Sequence, residues 1–468
     1  MFLIYLNSYK RYLVLLGMEV IVDPENSIKF SVSSTTKKIE VVADLQVHSK
    51  YARATSKDLS IENLEKYGRM KGLGLIGTGD FQHPLHRKEI DAKLKEDEKG
   101  ILWTESGFPF IWQTEVSLMF SQGGRRRAVH LLIFAPNKEG ADKVTNYLGS
   151  KGRLDYDGRP IFGISCRDLT KDLKEIDDKI EIVPAHCMTP WFGLFGSKSG
   201  FDSLAECFGD MAEKIYAVES GMSADPGMLW RVPELASGEK RVVSFSDAHS
   251  HWPWRIGREA TIFEIEELSY DNIIRAIRIG EGLKGTIETP PSYGKYHWDG
   301  HRNCDFSCSP EETRRLNGVC PKCGRELTIG VDYRVEELAR KPSGFKPSGA
   351  REFYKLVPLH ELIAFVFKTG MSSRISWEVY YSLIEKFGSE FNVLLKVGKE
   401  ELVGNGVDGN LIELIFLNRT GELKIKPGYD GTYGVIEHEF LGEASAGVFK
   451  FEGGGVRGVG GGKQTKLF

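Results

Sequence analysis

Apolar residues follow two rhythms along this chain of 468 residues. Between residue 39 and about residue 290, short β-branched runs predict buried strands: IEVVADL, LGLIGTGD, FIWQTEVSL, AVHLLIFAP, IEIVPAH, IYAVESG and RVVSFSD. Between several of them lie stretches such as SIENLEKYGRMKG, with apolar positions at helical spacing. The alternation predicts an α/β fold of parallel strands joined by helices, as a barrel or a doubly wound sheet. From 335 to 425 the period is helical, clearest in VPLHELIAFVFKTG and WEVYYSLIEKFG, after a turn-rich connector with Lys-Pro-Ser-Gly at Lys341 and again at Lys346. From about residue 441 the chain is glycine-rich, ends GGGKQTKLF and reads as a flexible tail. No solenoid-type repeat is present.

Composition changes this picture little. A net charge of −3 neither demands nor excludes a nucleic-acid partner, which would need a local basic face. The opening MFLIYLNSYKRYLVLLG is apolar, but Lys10 and Arg11 interrupt it, no charged segment precedes it and no small-residue cleavage site follows. It reads as a start-site extension or frayed terminus before Met18. No membrane segment is expected, and a monomeric, cytoplasmic protein is. Four of the seven cysteines fall at 304, 308, 320 and 323, which suits a reducing compartment and a metal site. Cys166, Cys187 and Cys207 are expected as buried thiols.

The histidines and carboxylates carry the chemistry. His48 follows IEVVADLQV, Asp80 and His83 follow LGLIGTG, Glu115 lies in IWQTEVSL and His130 in AVHLLIF. His186 ends IEIVPAH, and Asp247 and His249 end VVSFSDAH. In a parallel barrel such strand ends meet on one face. A convergent set of imidazoles and carboxylates is a site for zinc or other transition metals. Singly, a histidine after a strand is more often a satisfied turn residue, and Glu219 in IYAVESG reads equally as a salt-bridge partner. Six strand ends carrying ligand-type residues together argue for a shared site.

ADLQVHS, GTGDFQHP, TEV, VH, PAH and SDAH resemble the successive motifs of the PHP (polymerase and histidinol phosphatase) superfamily. That resemblance implies a distorted (β/α)7 barrel holding two or three metal ions for phosphoester hydrolysis. More narrowly, SKYARATSKDLSIENL, GLIGTGDFQHP, PAHCMTPWFGLFGSKSGFDSL, ESGMSADPGM and SDAHS…RIGRE resemble the endonuclease Q family, as do the cysteine module and the helical region after it. The likeness runs from about residue 40 to 440. It implies metal ligands, and hence catalytic residues, at His48, Asp80, His83, Glu115, His130, His186, Asp247 and His249, with magnesium, manganese or zinc as the ion. Where the family pattern begins His-x-His, this chain has Gln46, a neutral oxygen and a poor zinc ligand. The resemblance further implies incision on the 5′ side of deaminated bases (uracil, hypoxanthine, xanthine) or abasic sites, in an intracellular, nucleoid-associated DNA repair enzyme.

A flipped-out base wants an aromatic platform and phosphate holders. Tyr51, Trp191 and Phe192 are candidates for the first, with core packing an even alternative, and Ser56, Lys57 and Arg258 for the second. Arg125, Arg126 and Arg127 sit in a hairpin that reads as a DNA contact or as a solvated charge run.

In YHWDGHRNCDFSC…CPKC, the CPKC pair Cys320 and Cys323 is one knuckle of a structural zinc site. Its partner is His301 with Cys304, at the same two-residue gap, or Cys304 with Cys308; equal knuckle geometry favours His301, Cys304, Cys320 and Cys323. Cys308 is the reserve ligand and His297 a third choice. QTKLF, through Gln464, Leu467 and Phe468, resembles a shortened sliding-clamp (PCNA) box on a flexible tether. The expected organisation is an N-terminal extension (1–38), a PHP barrel (39–295), a zinc module (296–335), a helical C-terminal domain (336–440) and a tail (441–468). The rivals to a DNA endonuclease are a small-molecule phosphoesterase of the histidinol-phosphatase type, and a non-catalytic DNA or clamp adaptor in which Gln46 marks a decayed site.

Overall fold

The structure is a computed structural model and describes residues 18–22, 28–32 and 37–440. The N-terminal apolar stretch up to residue 17 and the clamp-like residues Gln464, Leu467 and Phe468 lie outside the described residues. Met18–Val22 and Ile28–Val32 pair as an antiparallel hairpin.

The IEVVADL run forms the strand Ile39–Asp44 at the heart of an eight-stranded sheet. It runs parallel to Leu75–Gly77, which runs parallel to Pro109–Ile111, as the alternation predicts. On its other side the sheet departs from the prediction. Ala260–Ile265 and Leu283–Glu288 follow as antiparallel strands. A second sheet is built on a long hairpin, Gln113–Gln122 with Arg125–Phe134, and on Glu181–Pro184, antiparallel to it. Gly123 and Gly124 both take φ above +50°, the backbone that a two-residue hairpin turn requires. Ala217–Glu219 and Arg241–Val243 form a separate parallel pair. The architecture is therefore mixed α/β, with its ladders in separate sheets rather than one closed ring.

Serine starts many of the helices. The Oγ atoms of Ser60, Ser165, Ser269, Ser373 and Ser389 each accept the backbone N–H three residues on, satisfying one of the orphan donors of the first turn. The helical rhythm after residue 335 is borne out by Leu359–Val366, Arg374–Phe387 and Gly409–Thr420.

Two features tie this helical part to the sheet. Glu352–Lys355, just past the connector and within the stretch expected to be helical, adds a parallel strand beside Leu283–Glu288. Gly285 permits this approach, since a Cβ there would lie 2.4 Å from the Glu352 carbonyl oxygen. The second tie is polar and buried. Lys71 Nζ, at the end of the helix Ile61–Lys71, meets Glu390 Oε1 at 2.6 Å and the Pro253 carbonyl at 2.8 Å. Glu390 also accepts from Leu359 N–H and Tyr380 Oη, both at 2.9 Å. Around this pair Trp252 stacks on Trp254 at 5.4 Å, and Trp377 and His360 pack against them.

Among the described residues no helix is long and apolar enough to cross a membrane. Cys166, Cys187 and Cys207 are buried free thiols, as expected.

Candidate metal centre

The strand-end residues converge. The His48 ring is wholly buried, with Nδ1 3.1 Å from Asp80 Oδ1, and Nε2 2.9 Å from Glu115 Oε2 and 3.1 Å from Asp247 Oδ1. Glu115 Oε1 lies 2.6 Å from His130 Nδ1 and 3.6 Å from His186 Nε2. His249 Nδ1 lies 3.6 Å from Asp247 Oδ1. Two triads result, each with its ligand atoms within 4.8 Å of one another: His48, Asp247, His249 and Glu115, His130, His186. The contact between His48 and Glu115 joins them.

Their delivery differs from the expectation in one respect. Glu115 and His130 are not at parallel strand ends. They sit inside the two arms of the long hairpin, where Glu115 opposes Leu132 and Ser117 opposes His130. Residues two apart on paired strands share a face, so both side chains reach the same centre.

Asp80, His186 and Asp247 all have positive φ, +35°, +30° and +49°. A non-glycine residue held there costs on the order of 1–3 kcal/mol, and the surroundings must enforce it. At His186 they do. Glu219 Oε2 accepts its N–H at 2.5 Å, and Gly221 leaves the ring its space, because a Cβ there would lie 2.6 Å from His186 Cβ. Glu219 is thus a buried backbone clamp and not a surface salt-bridge partner.

The electrostatics follow the contacts. Burial disfavours a charged His48, yet Asp80, Asp247 and Glu115 together hold its pKa well above the ordinary value. Burial would raise Glu115, but Arg159 and His130 draw it well below the usual range. Burial brings His130 down to about 4 against the pull of Glu115. Three carboxylates and four imidazoles packed this closely form a donor set of the kind divalent cations take. Gln46 sits in the same cage. Its amide nitrogen donates to Glu115 Oε2 at 3.0 Å, and its Oε1 is buried without a partner, an orphaned oxygen that a cation would satisfy.

His83 stands apart from both triads. Its ring stacks on Tyr51 with centroids 4.7 Å apart and planes 14° from parallel. The Tyr51 hydroxyl donates to Glu89 at 2.5 Å. The Phe192 ring lies 4.4 Å from His130, and Trp191 is 42% exposed. Ser56 donates its N–H to the His249 carbonyl at 2.8 Å, and Lys57 is exposed beside it. Arg258 turns inward, donating from Nε and Nη2 to the Ser246 carbonyl. Of the arginine run, Arg125 and Arg126 are exposed, whereas Arg127 is buried over Phe201 and bonded to Glu206 at 2.6 Å.

Sequence reasoning missed Arg159 and the loop that carries it. Arg159 Nη1 lies 3.5 Å from Glu115 Oε1, inside the cage. The preceding Gly158 touches Asp80 so closely that a Cβ would fall 2.3 Å from Oδ2. The loop GRLDYDGRP has no periodicity and no motif that could have marked it.

In the cysteine module, ligand atoms of His301, Cys304, Cys320 and Cys323 lie within 4.8 Å of one another, with Cys323 Sγ 3.3 Å from His301 Nδ1. The reserve candidate Cys308 faces Thr313 Oγ1 at 3.2 Å instead. The module's own buried cluster is only Cys308, Cys320 and Leu327, too small a core to hold a fold alone, so a bound ion fits both the donors and the packing.

Comparison with known proteins follows the same line. The crystal structure of the lesion-specific endonuclease PfuEndoQ from Pyrococcus furiosus superimposes with a TM-score of 0.76 and 30% identity, covering 85% of this chain and 95% of that one. The chain belongs to the endonuclease Q family. A crystal structure of endonuclease Q with a 27-mer duplex bearing an abasic lesion at its active site matches with the same score and identity, covering 85% of this chain and 96% of that one. Residues 358–422 match the family model described as the MJ0043 C-terminal domain. The uncharacterized protein MJ0043 of Methanocaldococcus jannaschii is 34% identical over 259 residues, which is 54% of this chain. The chain spans only 31% of that relative's length.

Proposed function

We propose that this protein is a divalent-metal-dependent DNA endonuclease that cuts the phosphodiester 5′ to a damaged nucleotide, leaving a 3′-hydroxyl and a 5′-phosphate. The observation that carries the reading is the pair of histidine–carboxylate triads joined at His48 and Glu115, in a chain of the endonuclease Q family.

His48, Asp247 and His249 would hold one ion, with Asp80 orienting His48, and Glu115, His130 and His186 a second. Ions bound there would lower the pKa of an attacking water and offset charge on the phosphoryl group. Gln46 adds a neutral oxygen to this cage. Arg159 adds a fixed positive charge that a substrate phosphate can meet from the open side. His83 stacks on Tyr51 and, with its Nδ1 buried and unpartnered, is a further candidate ligand beside the two triads. The barrel expected of the PHP class is the arrangement that would bring these strands round one rim.

The substrates that fit are abasic sites and deaminated bases, whose weak pairing lowers the few kcal/mol that extrusion from the stack costs. Tyr51, Trp191 and Phe192 border the centre and offer faces for an extruded base. His301, Cys304, Cys320 and Cys323 would hold a structural zinc. The tail residues Gln464, Leu467 and Phe468 are proposed to dock a sliding clamp.

The test is incubation of the full chain with single-lesion duplexes (uracil, hypoxanthine, xanthine, abasic) in magnesium, manganese or zinc, with the cut mapped on a sequencing gel. A cut immediately 5′ to the lesion is expected. Hydrolysis of phosphomonoesters without any incision would favour the histidinol-phosphatase rival.

A further inference from the structure

Three cationic side chains gather beside the metal-ligand rim, and among the described residues no carboxylate is in ion-pair contact with them. Arg258 gives Nε and Nη2 to the Ser246 carbonyl at 3.2 and 3.0 Å, which leaves Nη1 buried and without a partner. The Arg255 guanidinium lies 5.4 Å from the centre of the Tyr433 ring. Lys295 Nζ lies 6.0 Å from the same ring and 5.6 Å from that of Tyr296.

The carboxyl groups facing this set do not cancel it. Asp247 is engaged with His48. Burial pushes Glu259 up to about 8 and Glu361 up to about 7, so near neutral pH much of the positive charge stands uncompensated. Tyr433 registers the field. Burial would raise its hydroxyl, yet Arg258, Arg255 and Lys295 hold it below the ordinary tyrosine value.

The cluster is also continuous with the candidate centre. Trp191, just after His186, meets Tyr296 edge-on at 5.8 Å, and Tyr296 adjoins Lys295. An aromatic step therefore leads from the metal ligands to the cations.

We propose that Arg255, Arg258, Lys295 and Tyr433 form a second phosphate site, which holds a non-scissile phosphodiester of the DNA strand while Trp191 and Tyr296 stack the intervening base. The proposal rests on the nuclease reading. Lys295 Nζ, the Arg255 guanidinium and the Tyr433 hydroxyl supply donors to the non-bridging oxygens, with the charge of Arg258 behind them, and charge-assisted bonds of this kind are strong. Free phosphate offers the same chemistry, so the test separates the two sources.

The measurement is equilibrium binding of the full chain to an abasic duplex across a salt series, without added divalent metal so that no strand is cut. Losing one phosphate contact lowers the slope of log K against log salt by about 0.9. Lys295→Ala, at an exposed position, and Arg255→Gln are each expected to lose that much. Tyr433→Phe is expected to weaken binding at unchanged slope. Lys171→Ala, exposed on the helix Cys166–Ile176, serves as control and is expected to match the unaltered protein. Wild-type slopes in both Lys295→Ala and Arg255→Gln would overturn the proposal. So would inorganic phosphate that, at constant ionic strength, erases the difference between Lys295→Ala and the unaltered protein, since the site would then belong to the free anion. The expected slopes in a chain that incises no lesion duplex would refute the nuclease reading and uphold the phosphate site.

Discussion

Lys71 and Glu390 are far apart in the chain, yet they form a buried ion pair between the sheet-bearing part and the helical part. Replacing Lys71 by Met keeps the length of the side chain and its packing near Phe391, but removes the ammonium. Glu390 is then left with two neutral donors, Leu359 N–H and the Tyr380 hydroxyl. Breaking one partner of a buried pair costs about 3–5 kcal/mol, because the surviving charge stays out of water. Glu390→Gln should cost about as much, since the ammonium keeps only the Pro253 carbonyl and an amide oxygen. The double variant Lys71→Met, Glu390→Gln buries no charge. It should cost less than the sum of the singles by about 2 kcal/mol, within the range measured for coupled neighbours. Trp252, Trp254 and Trp377 surround the pair, so tryptophan fluorescence during guanidinium unfolding reads this seam directly. Single and double variants that add to within about 0.5 kcal/mol would show that the pair does not act as one unit.

The remaining predictions concern acid, the cage and the module. His360 is wholly buried with neither ring nitrogen partnered, and burial brings it down to about 3. Its neutral form stabilises the seam above pH 6.5, and that contribution is lost as pH falls towards about 3, by up to about 1.4 kcal/mol per pH unit. Unfolding midpoints should therefore drop on acidification, and His360→Leu should flatten the drop. Gly158→Ala should push the Asp80 carboxylate away from His48 and lower incision about 10–100-fold, the usual cost of disturbing a ligand's support; an unchanged rate would refute the contact. Gln46→His should raise bound metal by elemental analysis and raise the cleavage rate, and no change in either would contradict a ligand position there. Cys320→Ser should release one zinc equivalent and loosen residues 296–330 in hydrogen exchange, whereas Cys308→Ser should retain the ion.

Much of the candidate centre was legible because each ligand-type residue follows or sits within an apolar run. Periodicity marks the strand, and the polar residue that breaks it marks the site. His83 lies outside the two triads with its ring stacked on Tyr51, yet its Nδ1 is buried without a partner, so its neighbours alone did not say which ion it would face. Strand direction was not legible. An alternating pattern of strands and helices fits parallel crossovers and hairpins alike; the hairpin at Arg125–Arg127 was read, but not that its two arms carry Glu115 and His130 on one face. Arg159 was invisible, because a loop residue reaches its partners through tertiary contacts that leave no period in the sequence. The strand Glu352–Lys355 was hidden for another reason. Its four residues stand among prolines and glycines, and the edge of Leu283–Glu288, not local propensity, draws them into the sheet.

That strand limits how the molecule can be taken apart. A fragment ending at residue 295 would keep every candidate ligand of the two triads, yet it would expose the backbone donors and acceptors of Leu283–Glu288 along a bare edge. Bare edges recruit other chains. The half that carries the candidate centre, on its own, should clump before it could be assayed.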